Sequence, residues 1–154
     1  MSLSQDYTHL LREFHALIGL SYTEAEDGVH ALAIGSEQLL CIGLDADNAQ
    51  VVLQDDIGPA PIAVLAQLLQ SNHAALSVGG TIASLSPTER CALTRRLPLQ
   101  GLTAQELEDQ VDELLQCAKA WLLTFSQATA IQPSAPADTG DAAVAVHFAA
   151  GLRV

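Results

Sequence analysis

The chain reads as an α+β protein whose strands form an antiparallel sheet. Two observations lead there. Apolar residues repeat at helical spacing in three well-separated segments, and the intervening runs are short, apolar and bounded by polar turn residues. The resulting order is helix, three strands, helix, two strands, helix. Strands that come in runs between helices, without strict βαβ alternation, pair antiparallel and carry the helices as a separate layer.

The first helix covers residues 5–18, where Tyr7, Leu10, Leu11, Phe14, Leu17 and Ile18 share a face and Gly19 stands where a helix ends. After the acidic turn "EAEDG" come "VHALAIG", "QLLCIGL" and "QVVLQDD", separated by "SE" and "DADNA", which predict a three-stranded meander. The segment "IGPAPIAVLAQLLQSN", residues 57–72, supplies a second, short helix. Pro61 suits its first turn, and Ile62, Leu65, Leu68, Leu69 and Asn72 lie on one face. Asn72 reads as the terminal residue, fit to bond the last free carbonyls, and His73 as the start of a turn. "VGGTIASLS" and "CALTRRLPL", split by "PTER", predict a hairpin, with Gly79 and Gly80 at a strand entry or bulge. Thr103 and Glu106 form a Thr-x-x-Glu capping box that opens the longest helix, whose apolar face runs through Leu107, Val111, Leu114, Leu115, Ala118, Leu122 and Phe125 to Ser126. Residues 1–126 are therefore expected to form one domain. Residues 127–154, rich in alanine and proline and without a sustained period, are expected to be a flexible tail.

Composition narrows the function. The chain is 49% hydrophobic and carries 18 acidic against 6 basic residues, a formal charge of −12. A field of that sign repels nucleic acid and anionic membrane, so neither is expected as a partner. No stretch approaches the roughly 20 apolar residues of a membrane span, and "MSLSQDYTHLL" lacks the basic flank and apolar run of a signal peptide. Cys41, Cys91 and Cys117 are odd in number and each sits in an apolar run, the pattern of buried thiols in a reducing compartment. A cytoplasmic location is expected.

The residues that could carry chemistry do not converge on a motif. His9, His15, His30, His73 and His147 never fall at i, i+4, the spacing that puts two imidazoles on one helical face for zinc. "DADNAQVVLQDD" places Asp45, Asp47 and Asp56 at positions 1, 3 and 12 of a calcium loop, but Ala49 and Gln50 occupy a ligand position and the obligatory glycine. "VGGTIA" lacks the Lys-Ser/Thr of a phosphate loop, and no Gly-x-Ser-x-Gly elbow occurs. Arg95 and Arg96 hold two of the six cations within a strand, so one of them must share a face with Leu93 and Leu97. Either they anchor a partner's carboxylates or they neutralise nearby acidic surface.

Several of these segments, taken in order, resemble the class I type III secretion chaperones of the Tir-chaperone family. The likeness is carried by "LLREFHALIGL" and its following acidic turn ending in Gly28, by "GPAPIAVLAQLLQSN" with its Leu-Leu-x-x-Asn ending, and by "RRLPLQGLTAQELEDQVDELLQCAKAW" with Trp121 late in the last helix. It spans residues 5–126. The resemblance implies a twisted antiparallel sheet flanked by helices. It also implies a homodimer formed largely through the second helix, with Ile62, Leu65, Leu68, Leu69 and Asn72 at the interface. It implies no cofactor, metal or catalytic residue. The partner it implies is the extended N-terminal segment of an effector protein, kept soluble and export-competent, with the secretion apparatus as a further contact.

The physical reading runs parallel. An extended client gains affinity by adding backbone hydrogen bonds to a sheet edge and seating alternate side chains in pockets. Leu10, Phe14, Leu17, Ile34, Leu40, Ile42 and Arg96 are the candidate effector-binding residues. The alternatives are a non-secretory adaptor or regulatory dimer of the same fold, and a small enzyme working through His73 or His30.

Overall fold

The structure is a computed structural model that describes residues 2–25, 28–35, 38–78 and 80–131. Helix α1 spans Leu3–Leu17, strands β1, β2 and β3 span His30–Ile34, Gln38–Asp45 and Gln50–Pro59, and a 3-10 turn at Ile62–Val64 leads into α2, Leu65–Val78. Strands β4 (Ile82–Leu85) and β5 (Arg90–Pro98) follow, and α3 (Ala104–Ile131) closes the described chain. The strands form one antiparallel sheet in the order β1-β2-β3-β5-β4. The predicted α+β class and element order hold.

Each helix is bounded as its residues dictate. Ser2 caps α1 in a reciprocal box with Gln5. At its other end Gly19, at φ 73°, lets the Leu20 amide donate to the His15 carbonyl and its own amide to that of Ala16, a Schellman stop. The Thr103 and Glu106 box opens α3 as predicted, each residue bonding the other's backbone amide, and those bonds hold the Glu106 carboxyl below its usual range.

One face of the sheet carries the core. Side chains of Leu32, Leu40, Ile42, Val51, Leu53, Leu93 and Leu97 alternate onto it, where α1 supplies Tyr7, Leu10, Leu11 and Phe14, and α3 supplies Leu107, Val111, Leu114, Ala118 and Phe125. The two helices pack against each other over this face, whereas α2 packs on β4 at the far edge. The opposite face carries small residues, among them Ala31, Ala33, Cys41, Gly43 and Ala92, with no described helix over it.

Three boundaries differ from expectation. The third strand runs beyond the predicted "QVVLQDD" to Pro59, past a bulge at Ile57, and uses Gly58 at φ 87° to resume pairing opposite Cys91. The second helix ends later than Asn72, at Val78, so Asn72 and His73 are interior helical residues and neither begins a turn. The long helix continues through residue 126 to Ile131. Of the expected tail at 127–154, the part from 132 onward lies outside the described residues. Gly80 serves neither bulge nor left-handed turn: a Cβ there would stand 3.3 Å from that of Ala75, whose carbonyl accepts the Gly80 amide, so glycine permits a close return off the helix.

Candidate functional site

The two edges of the sheet are finished differently. At the β4 edge, the Asn72 side chain lies against the backbone of Ala83: Nδ2 donates to the Ala83 carbonyl at 2.8 Å and Oδ1 accepts the Ala83 amide at 2.7 Å. Ala83 lies opposite Leu93 in the β4-β5 ladder, so a single side chain satisfies both of its outward groups. This is the reason for an asparagine on that helix face: the amide presents a donor and an acceptor side by side, as a neighbouring strand would. Asn72 therefore acts on the sheet and not on its own helix end. Periodicity alone did not reveal this, since the bond joins residues brought together by the α2-β4 return.

The α2 face beyond Asn72 is apolar and open. Ile62 is 79% exposed, Leu69 70% and Leu76 75%, spaced seven residues apart along one stripe. Leu65 and Asn72 are half-buried, and a cleft of 350 Å³ between Leu65, Leu69 and Leu85 continues the apolar surface onto β4. Leu68 differs from its companions in the predicted interface set: it is buried in the core and offers no surface. Sequence spacing groups it with Leu65 and Leu69, and only the helix's seat on β4 separates them.

At the other edge, β1 pairs with β2 and with no other described strand. Ala31 and Ala33 are exposed on the outer face, and Leu17, Leu20 and Leu39 are large exposed apolar residues on this half of the molecule. β1 begins opposite Ile42 while β2 continues to Asp45, so a depression of 590 Å³ wraps round the edge at that point. Tyr7, Tyr22 and His30 line it from the helix side, Gly43, Val52 and Arg96 from the sheet.

A box of rings holds the chain here. The Tyr7 hydroxyl donates toward the carbonyls of Ile42 at 2.9 Å and Gly28 at 3.2 Å, and burial pushes its phenol well above the usual tyrosine range. His30 stacks on Tyr22 at 5.2 Å and meets His15 edge-on at 5.7 Å, while the Arg12 guanidinium lies 5.4 Å over the Tyr22 ring. His30 is thus part of a ring cluster, and His73 is exposed on α2.

The predicted effector-binding residues divide. Leu10, Phe14, Leu40 and Ile42 are core: each is at most 4% exposed, so they shape the floor without presenting surface. Leu17 is exposed, Ile34 half-buried at the end of β1, and Arg96 exposed on the outer face with Nη1 2.8 Å from Asp45. Arg95 takes the core side and bonds Glu113 of α3 at 2.7 Å, which settles which of the two faces inward. The Asp45 carboxyl, held by Asn48 and Arg96, lies below its usual range. Asp45 thus closes a local turn, and no calcium ligand set forms around it.

Burial raises the Cys91 thiol to about 11 and also raises that of Cys117, keeping both protonated as packing residues. Among the described residues, no group of three or more His, Cys, Asp or Glu is placed to hold a metal, and no helix is long and apolar enough to cross a membrane.

The described residues thus present apolar surface at both sheet edges, and at one of them the backbone of Ala83 is capped by Asn72. The chain belongs to the Tir chaperone protein (CesT) family, whose model matches residues 9–122. Among solved structures it is similar to a chain of the ExsC–ExsE complex, at 22% identity over 81% of this chain and 97% of that one, with a TM-score of 0.72. It is similar also to a chain of the HopA1–SchA chaperone–effector complex (17% identity, 78% and 95% covered, TM-score 0.71). A third likeness is to the Yersinia pestis type III secretion chaperone SycH in complex with a stable fragment of YscM2 (20%, 75% and 98%, 0.66). No curated protein sequence matches the chain.

Proposed function

We propose that this protein is a type III secretion chaperone that binds an extended N-terminal segment of an effector and keeps it soluble for export, acting as a homodimer. The observation that carries the reading is the inequality of the two edges. A client strand finds Ala83 of β4 occupied by Asn72, whereas residues 31–34 of β1 pair, among the described residues, with β2 alone, beside exposed Leu17, Leu20 and Leu39. Backbone pairing along β1 supplies sequence-tolerant affinity, and alternate client side chains settle on the small outer face at Ala31 and Ala33 and on the apolar helix side at Ile34. Family membership and the fold shared with chaperone–effector complexes support the same assignment.

The second apolar surface fits a second copy. Residues seven apart, Ile62, Leu69 and Leu76, form the straight seam that another helix covers, and each leucine or isoleucine fully buried contributes about 1.5–3 kcal/mol. Asn72 and Leu65 border that seam and Leu68 supports it from beneath. No catalytic step is assigned to His30 or His73.

The test is direct. An effector's purified N-terminal segment is titrated into the wild-type protein and into Ala31→Asp and Ala33→Asp variants, with binding measured by calorimetry. Both positions are exposed, so folding should be untouched while affinity falls at least tenfold. Unchanged affinity, or protease protection mapped away from β1, would overturn the placement of the client.

A further inference from the structure

We infer that the cleft between α1 and the loop leading into α3 is a docking groove for a basic amphipathic helix of a second protein. It is separate from both surfaces assigned above, since neither β1 nor the α2 stripe lines it. Its volume is 490 Å³. One wall is α1, where Leu3, Asp6, Leu10 and Glu13 follow one another at intervals of three and four residues and so form a single line along the helix. The other wall is Ala49, from the β2-β3 turn, with residues 99–102.

Local bonds hold that second wall in place. The Leu99 amide donates to the Ala49 carbonyl at 2.9 Å and the Leu102 amide to that of Leu99 at 3.2 Å, while Gly101, at φ 80°, supplies the left-handed step that turns the chain toward α3. The groove is therefore preformed, and an occupant need not open it. Its floor is apolar: Leu10 and Leu99 are buried and Leu102 is half-buried, with Leu3 42% exposed at one end. Such a floor takes large aliphatic side chains.

The rim selects the charge of the occupant. Among the described residues Asp6 has no cation paired with it, and Glu13 meets only His9, at 3.5 Å. Arg12, the one arginine of α1, lies over the Tyr22 ring, and Arg90, Arg95 and Arg96 are bonded to Asp56, Glu113 and Asp45. Two carboxylates beside an apolar floor, on a chain of net charge −12, attract a cationic partner and repel nucleic acid and anionic membrane alike. Asp6 and Glu13 are seven residues apart, about 10 Å along the axis, which matches cations seven residues apart on a second helix laid beside α1. Leucines between those cations on the same stripe meet Leu3, Leu10 and Leu102. Apolar contact then supplies affinity, and the charged rim supplies register and partner choice. Because the groove is separate from β1, such a partner and a client can be held at once.

The test titrates isotope-labelled full-length protein with a short helical peptide of leucine and lysine at heptad spacing, following amide shifts and fluorescence anisotropy. Shifts should centre on residues 3–13 and 99–102. Asp6→Asn/Glu13→Gln should weaken binding at least tenfold. Glu24→Gln/Glu89→Gln, which removes two charges from exposed positions outside the cleft, should weaken it less than twofold. A peptide of the same composition with its leucines scattered round the helix should bind at least tenfold more weakly. Equal loss in the two variants, or equal affinity of the two peptides, would reduce the contact to general charge attraction and overturn the inference. So would shifts centred on β1 or on the α2 stripe, or an absence of binding. Circular dichroism confirms that both variants are folded. No effector enters the measurement, so failure of the client assignment and failure of this groove are read separately.

Discussion

The β1 and β4 edges are the two places where this sheet could continue, and they differ by one side chain. At β4 an asparagine from α2 occupies the pairing groups of Ala83, and a helix lies alongside. At β1 no described element does so, and the exposed Ala31 and Ala33 stand on its outer face. The lesson is that an edge is made unreactive by matching its hydrogen bonds, not by covering it with apolar mass. The α2 side remains the more apolar of the two surfaces, yet it is the one closed to strand addition.

The largest expected effect separates the two halves of the α2 stripe. Leu68→Asp places a carboxylate in the core and should unfold the domain at room temperature, a loss of several kcal/mol read by urea denaturation. Leu69→Asp, at a position 70% exposed, should leave the fold intact and convert the proposed dimer to monomer in sedimentation. A folded variant that stays dimeric would remove this face from the interface.

Asn72→Ala should cost about 1–3 kcal/mol, because two backbone groups of Ala83 lose their partner, and the variant should also aggregate through its newly open edge. Light scattering and thermal melts check both. A soluble variant of wild-type stability would mean that the edges are equivalent after all.

A smaller effect has the opposite sign. Asp55 is fully buried, accepts a hydrogen bond from Gln38 and leaves Oδ1 without a described partner, and desolvation raises its pKa. A carboxyl whose pKa is higher folded than unfolded favours the fold below its unfolded value near 3.9, and that benefit is lost as pH rises through the folded pKa. Asp55→Asn should therefore stabilise the protein by about 1 kcal/mol at neutral pH, with the difference shrinking on acidification. Melts across pH 3.5–7 decide it. Smallest is Arg96→Ala. Its pair with Asp45 is exposed, so stability should hardly change, and a marked fall in client affinity without loss of stability would tie Arg96 to binding.

Much of the fold was legible from residue order. Helical spacing in α1 and α3, the Thr103 box and the polar breaks between strands are local signals, and local signals survive without tertiary context. What was not legible lies where distant segments meet. Asn72 looked like a helix end because polar residues often close helices; its true partner is eleven residues on, reached only after Gly80 folds the chain back. Leu68 and Leu69 are indistinguishable by type and spacing, and so are Leu10 and Leu17, yet each pair divides into core and surface.

By itself, the sequence determined the class, the element order, the acidic surface and the family resemblance, because each depends on composition and on periods shorter than one element. The tertiary structure alone decided which apolar residues are floor and which are surface, which arginine faces the core, and which edge of the sheet Asn72 caps. Burial and edge pairing are relations between elements, and a pattern along one element cannot contain them.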